Sequence, residues 1–245
     1  MSVSISIHVD GYYGLTEGVT NLLNLFKKGD IRATFFVNMG REASIIDILK
    51  NFRKNKGEFK KSRILIRRYS KLQMLKIIFF MRKLGSGHKE ILKKIENNGY
   101  KVEPHCWNHL EWSKNFDNMN YKKQILLMKN SFKKCLGRNP RSFTPPLWKI
   151  NHKIITELEK EGFKEVCVLK KDVKLFESFK KIKPNILTFD NTIEELLQER
   201  KSEEEILRIY KKEMDKKGAH VYFHADYEGR RGINTLKKVL NLSKK

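Results

Sequence analysis

The chain opens with a strict alternation of apolar and polar side chains. The apolar positions are Val3, Ile5, Ile7 and Val9. The polar positions between them end in His8 and Asp10. A period of two is typical of a β-strand with one apolar and one polar face. The pattern therefore predicts a first strand on which His8 and Asp10 share a face.

Helical and strand patterns then alternate along the rest of the chain. Apolar residues at helical spacing predict a helix from Val19 to Phe26, with Gly29 as its stop. A capping box at Ser202 and Glu205 begins a later helix that we expect to end at Gly218. Further strands are predicted at 33–38, 100–105, 142–145, 163–169, 185–190 and 219–224. Further helices are predicted at 45–52, 91–95, 120–135, 152–161 and after Gly229.

This alternation predicts an α/β fold built from parallel βαβ units. About six or seven such units could close into a TIM-like (β/α) barrel, incomplete or distorted. A doubly wound open sheet is the alternative. In both architectures the functional site lies at the carboxyl ends of the strands, where Asp10, His105 and His224 all fall. We expect one domain over residues 1–245, with a basic amphipathic insert at about 57–87.

The composition is strongly basic, with 52 Lys and Arg against 28 Asp and Glu and a net charge of +24. An anionic partner is one explanation, and the codon bias of a low-GC genome is the other. Three separated cysteines (Cys106, Cys135 and Cys167) favour a reducing compartment. The first residues lack the pattern of a signal peptide, so we expect a cytoplasmic protein.

Basic and apolar residues are interleaved in the insert, and residues 59–83 contain no acidic side chain. This pattern suits an element that lies on an anionic membrane surface. The alternative is a helix that packs on the barrel with a basic outer face. Nucleic acid is not expected as a partner, because base-reading motifs are missing. The predicted membrane contacts are Arg63, Arg67, Arg68, Lys71, Phe79 and Phe80.

A candidate metal site begins with His105 and His109, which are four residues apart. This spacing lets two imidazoles reach one ion, although a structural histidine pair is the common alternative. Addition of Asp10 gives a set of two histidines and one aspartate that leaves positions open for water and substrate.

Five segments together resemble the polysaccharide deacetylase (NodB-homology) superfamily: "HVD", "TFFVNMG", "PHCWNHLEW", "FTPPLW" and "YFHADYEG". They are similar in particular to the membrane-associated enzymes that deformylate or deacetylate amino sugars linked to undecaprenyl phosphate. The resemblance implies that Asp10, His105 and His109 bind one divalent ion, such as zinc, cobalt or manganese. It also implies that His224 protonates the leaving amine.

His8 departs from the family pattern, which has an aspartate as general base at this position. We consider three interpretations: His8 is itself the base, it is a fourth ligand, or the site binds without catalysing. Thr144 stands before Pro145, where many members carry an arginine that orients the base carboxylate. A histidine base would not need that cationic partner.

Several side chains near these motifs are candidate substrate contacts. Trp107, Trp112 and Trp148 could form walls against a sugar ring or simply pack in the core. Asp226 and Glu228 could bind substrate hydroxyls, support histidines, or cap the last helix. The substrate-binding set that we predict is Trp107, Pro146, Trp148, Asp226 and Glu228.

We therefore expect a metal-dependent hydrolase that removes an N-formyl or N-acetyl group from an undecaprenyl-phosphate-linked amino sugar, as in lipopolysaccharide modification. Its expected location is the inner face of the bacterial cytoplasmic membrane, with the lipid-linked sugar and the anionic membrane surface as partners. A non-catalytic protein that binds a metal or a glycolipid is the alternative, because of His8.

Overall fold

The computed structural model describes residues 3–27, 31–42, 68–79 and 82–242. Within these residues seven strands form two sheets whose paired strands are all parallel. One sheet has the order β3-β2-β1-β7 and the other the order β4-β5-β6. The strands are β1 (Ser4–Val9), β2 (Arg32–Asn38), β3 (Lys101–Cys106), β4 (Ser142–Phe143), β5 (Glu165–Leu169), β6 (Lys183–Leu187) and β7 (His220–His224). The α/β class with parallel strands is confirmed.

The two sheets meet at two seams instead of forming one continuous ladder. Next to β7, Phe189 forms an isolated parallel bridge with Val221. Between β3 and β4, the Glu103 carboxylate accepts hydrogen bonds from the backbone N–H groups of Arg141 at 2.8 Å and Ser142 at 3.0 Å. A side chain thus replaces the missing backbone ladder at this seam.

Helices cover the outer faces of the strands in the described part of the chain. They are α1 (Val19–Phe26), α2 (Lys71–Phe79), α3 (Lys89–Asn97), α4 (His109–Lys114), α5 (Tyr121–Leu136), α6 (His152–Lys160), α7 (Ile193–Gln198), α8 (Glu203–Met214) and α9 (Ile233–Leu242). The predicted helix at 45–52 and the stop at Gly29 lie outside the described residues. In the described part of the chain, no helix has the length and apolarity needed to cross a bilayer.

Two short helices, α4 and α7, were not predicted. Each has six residues, and each begins at a polar N-cap: Asn108 accepts from the N–H of Glu111, and Thr192 forms a capping box with Glu195. The predicted capping box of α8 is present, but α8 ends at Met214, before Gly218. Gly218 adopts φ 72°, a left-handed conformation that suits the turn into β7.

The two faces of β1 have different surroundings. Ile5, Ile7 and Val9 belong to the large core that the helices cover. The opposite face is enclosed as well, since His8 is 4% exposed. This polar face therefore points into the space between the two sheets.

Candidate metal centre and active site

Asp10, His105 and His109 converge at the carboxyl ends of β1 and β3. Their ligand atoms all lie within 4.8 Å of one another. Asp10 follows β1, His105 lies near the end of β3, and His109 is the first residue of α4. The Asn108 side chain caps α4 by accepting from the N–H of Glu111 at 3.0 Å, which fixes the backbone that carries His109.

This donor set fits a divalent metal ion. Oδ1 of Asp10 is buried without a hydrogen-bond partner and lies 3.4 Å from Nε2 of His105. Nδ1 of His105 donates to the carbonyl oxygen of Thr144 at 2.8 Å, so the lone pair of Nε2 faces Asp10. The three residues therefore offer donor atoms of the types that zinc, cobalt and manganese accept.

The protonation states also suit ligands. Burial lowers the pKa of His105 to about 4, although Asp10 acts in the opposite direction. Burial alone would raise the pKa of Asp10, but the nearby histidines, His109 foremost, hold it below its usual range. A neutral imidazole and an ionised carboxylate are the forms that bind metal.

His8 lies in a cage of rings beside the ligand cluster and is not part of it. Its ring centroid is 4.7 Å from that of His105, 5.1 Å from Tyr222 and 5.3 Å from Trp148. Nε2 of His8 is buried without a hydrogen-bond partner. Burial and the neighbouring His105 lower its pKa well below 6.5, so the ring is neutral. The geometry gives no support to the fourth-ligand interpretation.

His224, the predicted proton donor, ends β7 on the opposite side of Asp10. Its Nε2 lies 3.5 Å from Oδ2 of Asp10. Burial, followed by the charge of Arg68, lowers the pKa of His224 to about 4. The structure thus brings together all five residues that were predicted as ligands or catalytic groups.

The prediction that Asp226 and Glu228 contact substrate is wrong, because both side chains are fully buried. Asp226 accepts hydrogen bonds from the backbone N–H groups of Asp10 at 3.1 Å and Gly11 at 3.3 Å. Glu228 accepts from the backbone N–H of His224 at 2.8 Å. Both carboxylates hold the backbone of the site, and α9 begins beyond them at Ile233.

The three tryptophans that were considered as a substrate wall differ in exposure. Trp148 is half-buried, and its ring lies 5.0 Å from that of Tyr222. Trp107 is also half-buried, whereas Trp112 belongs to the core at 1% exposure. Pro146 is buried, which argues against its assignment to the substrate.

Leu147, which follows Pro146, carries the exposed surface at this place. It is 50% exposed, and both Leu147 and Trp148 adopt left-handed backbone conformations, with φ 55° and 56°. Such angles are uncommon for residues with a Cβ and concentrate at functional sites. No signal in the sequence pointed to Leu147.

The predicted membrane contacts have mixed outcomes. Arg63, Arg67 and Phe80 lie outside the described residues, and so does the side chain of Phe79. Lys71 is exposed at the start of α2. Arg68 is not a surface residue, since it binds Glu194 through Nη2 at 2.7 Å and Nε at 2.9 Å. Its cationic head is paired inside the protein, which corrects its assignment to the membrane.

Fold and site together define an α/β protein with a candidate metal centre of one aspartate and two histidines. The sequence model of the polysaccharide deacetylase family matches residues 4–166, and the chain belongs to this family.

Solved structures of polysaccharide deacetylases and related esterases have a similar fold. The family 4 carbohydrate esterase from Streptomyces lividans, in complex with acetate, is 12% identical over 99% of this chain and 86% of its own, with a TM-score of 0.54. Polysaccharide deacetylase Bc1974 from Bacillus cereus is 15% identical over 98% of this chain and 88% of its own, with a TM-score of 0.54.

A BA3943 mutant, described as a family 4 pseudoenzyme with restored enzymatic activity, is 12% identical over 98% of this chain, with a TM-score of 0.56. This chain spans 62% of the length of that protein. Wild-type BA3943, from Bacillus anthracis, is described as a pseudoenzyme of the same family and is 14% identical over 98% of this chain and 60% of its own, with a TM-score of 0.51.

Proposed function

We propose that the chain is a metal-dependent deacylase that hydrolyses the N-acyl amide of an amino sugar. The observation that carries this proposal is the cluster of Asp10, His105 and His109, in which Oδ1 of Asp10 is buried without a hydrogen-bond partner, with His224 beside it. A divalent ion held there would polarise the amide carbonyl and lower the pKa of a water molecule to about 7.

The protein's own groups have separate tasks in this reaction. The Thr144 carbonyl orients His105, and Asp226 holds the backbone of Asp10. The neutral His8 ring accepts the proton of the attacking water at Nε2, its unpartnered atom. His224 is neutral at its lowered pKa, so it must take up a proton before it can act as an acid, and the proton that His8 removes from the water balances this uptake. His224 then transfers a proton to the nitrogen of the departing amine, and this completes cleavage of the carbon–nitrogen bond.

The finer substrate that we propose is an N-formyl or N-acetyl amino sugar linked to undecaprenyl phosphate, bound at the inner face of the bacterial cytoplasmic membrane. The sequence motifs support this choice. Support also comes from α2, where Leu72 and Leu75 are 63% and 51% exposed beside the exposed Lys71 and Lys76. Apolar side chains flanked by lysines suit an anionic lipid surface.

A second candidate is a non-catalytic member that binds the glycan. The observation in its favour is His8 at the position of the usual base aspartate. The description of wild-type BA3943 as a family 4 pseudoenzyme makes this alternative concrete.

Metal stoichiometry and turnover test the proposal together. Elemental analysis after loading with zinc, cobalt or manganese should find about one ion per chain, and Asp10→Ala should lose it. Asp215→Ala is the control, because Asp215 is exposed at the end of α8, before β7 begins.

The loaded protein should release formate or acetate from N-acylated amino sugars, and most rapidly from polyprenyl-phosphate-linked ones. An ion without turnover on any of these substrates would favour the binding protein. Absence of an ion would contradict the metal-dependent deacylase, and it would also contradict a binding protein that uses a metal.

A further inference from the structure

Arg68 and Tyr69 are adjacent residues of the basic insert, and only Ser70 separates them from α2. Both side chains point into the protein: the side chain of Arg68 is 14% exposed, and Tyr69 is 7% exposed. Each is the first member of a chain of hydrogen bonds that ends at a residue of the candidate active site.

The Tyr69 chain ends at the metal ligand Asp10. The hydroxyl of Tyr69 donates to Oδ1 of Asp226 at 3.1 Å, and Oδ2 of Asp226 accepts from the N–H of Asp10 at 3.1 Å. Gly11 donates to the same oxygen, and a Cβ at Gly11 would lie 2.6 Å from the Tyr69 hydroxyl oxygen. The backbone that carries Asp10 is therefore packed and hydrogen-bonded against this pair.

The Arg68 chain ends at His224. The guanidinium binds the Glu194 carboxylate through two nitrogens, and Glu194 is 1% exposed. The backbone N–H of Glu194 donates to Oε1 of Glu228 at 2.9 Å, and Oε2 of Glu228 accepts from the N–H of His224 at 2.8 Å. The two-point contact thus fixes the start of α7, from which Glu228 is held beside β7.

Arg68 and Tyr69 are themselves held in place by contacts with the rest of the protein. Nη1 of Arg230 donates to the carbonyl oxygen of Arg68 at 2.6 Å. The Tyr69 ring packs with Tyr13 and with Ile77 of α2. Residues 68–79 of the insert and the backbone of the site are consequently parts of one packed unit.

We propose that Arg68 and Tyr69 are positioning residues, Tyr69 for the metal ligand Asp10 and Arg68 for the proton donor His224. The roles of Asp10 and His224 rest on the proposed function, but the Tyr69 half can be measured without turnover. Groups that orient a metal ligand typically change metal affinity by about 10-fold to 100-fold when they are removed.

The first experiment titrates the protein with cobalt and records its visible absorption. Tyr69→Phe, which removes only the hydroxyl, should weaken cobalt binding about 10-fold and alter the spectrum of the bound ion. Tyr13→Phe is the matched control, since Tyr13 is also 7% exposed and its ring lies 6.0 Å from that of Tyr69. Thermal unfolding of both variants checks that they are folded. Unchanged affinity in Tyr69→Phe, or an equal loss in Tyr13→Phe, would overturn the Tyr69 half.

The second experiment measures steady-state kinetics of Arg68→Lys. Lysine keeps the positive charge but cannot bind Glu194 at two points, so kcat should fall about 10-fold while KM and cobalt affinity stay within about twofold. Arg208→Lys is the control, because Arg208 also pairs with a glutamate, Glu204, but on the exposed face of α8. Unchanged kcat in Arg68→Lys, or an equal loss in the control, would overturn this half.

Failure of the proposed function can be distinguished from failure of the positioning roles. If the unaltered chain binds cobalt but hydrolyses no substrate, the proposed function and the Arg68 half fall together, and the Tyr69 half is still decided by the affinities. If the unaltered chain binds no cobalt, the metal centre and the inference are both overturned.

Discussion

At the scale of single residues, the environment of His8 limits the chemistry that this site can perform. Burial within the ring cage, followed by the neighbouring His105, lowers the pKa of His8 and keeps the imidazole neutral. A neutral imidazole can accept a proton, but its lowered pKa makes it a weaker base than a histidine in water. We therefore expect catalysis with His8 as the base to be slower than with a histidine of ordinary pKa.

Substitution of His8 separates the two candidate functions. His8→Ala should lower kcat about 100-fold to 10,000-fold with the metal content unchanged, because a positioned base contributes about that much. The control is His152→Ala, an exposed histidine that contacts Ser178. Full activity in His8→Ala would contradict the role of base. An inactive unaltered protein that gains turnover in His8→Asp would establish the non-catalytic alternative.

Glu42 is a buried acid close to the backbone that follows the metal ligand Asp10. Its Oε1 accepts from the N–H of Tyr12 at 3.0 Å, whereas Oε2 is buried without a partner. Burial raises its pKa from 4.5 to about 7; the bond from Tyr12 and the charge of Arg82 oppose the rise, and Asp226 adds to it. The folded protein therefore binds a proton here more tightly than the unfolded chain does.

Stability should consequently fall as pH rises from about 4.5 to 7, because over this interval the native state must release a proton that the unfolded chain has already lost. The full loss is on the order of 3 kcal/mol. Glu42→Gln cannot ionise, so its free energy of unfolding, measured by urea denaturation at several pH values, should decline less between pH 5 and 8. Glu204→Gln, an exposed control, should follow the unaltered protein. Parallel curves for Glu42→Gln and the unaltered protein would contradict the assignment.

The sequence pointed to the metal site in three ways: Asp10 and His105 stand at predicted strand ends, His109 follows His105 by four residues, and the motifs resemble those of polysaccharide deacetylases. It could not show what Asp226 does, since its partner Asp10 lies 216 positions away along the chain. A carboxylate that accepts from buried backbone N–H groups has the same sequence signature as one that binds a sugar. The distinction depends on burial, which only the packed structure supplies.

At the scale of secondary structure, the alternation of strand and helix patterns predicted the order of the strands and long helices along the chain. It did not predict how the two sheets meet. Strand β4 is only two residues long, Ser142–Phe143. Its contact with β3 depends on Glu103, a side chain in the interior of a strand. No pattern of periodicity distinguishes such a residue from an ordinary surface glutamate, so the seam was not predicted.

Glu103→Gln tests this seam. The carboxylate binds two backbone N–H groups through one oxygen and Arg138 through the other, at 3.3 Å, and Glu103 is 5% exposed. A glutamine offers one acceptor oxygen and an amide donor that would face either the arginine or the backbone. We expect a loss of about 1–3 kcal/mol in the free energy of unfolding, measured by urea denaturation.

Glu165→Gln is the control for this substitution. Glu165 is exposed on β5, so its replacement should change the free energy of unfolding by less than about 0.5 kcal/mol. Equal effects of the two substitutions would show that Glu103 does not hold the seam.

At the scale of the whole molecule, the net charge of +24 was evident from the sequence, but its use was not. Arg68 illustrates the reason, because an arginine in a basic run was assigned to the surface and instead pairs with Glu194 inside the protein. Helix α2 carries exposed lysines and leucines, and Ile77 on the same helix packs with Tyr69 and Tyr13. A membrane bound by α2 would therefore lie next to the chains of hydrogen bonds that support the site.

Binding to lipid vesicles tests this arrangement. The unaltered protein should sediment with anionic vesicles more than with neutral ones, and added salt should reduce the bound fraction because the attraction to headgroups is screened. Replacement of both exposed leucines, Leu72→Ser with Leu75→Ser, should weaken binding to anionic vesicles by about 10-fold or more, since two apolar side chains no longer enter the lipid. Ile186→Ser is the matched control, because Ile186 is 40% exposed on β6, outside the insert. If the leucine variant and the control bind equally well, α2 does not contact the membrane, and the basic charge must serve another anionic partner or none.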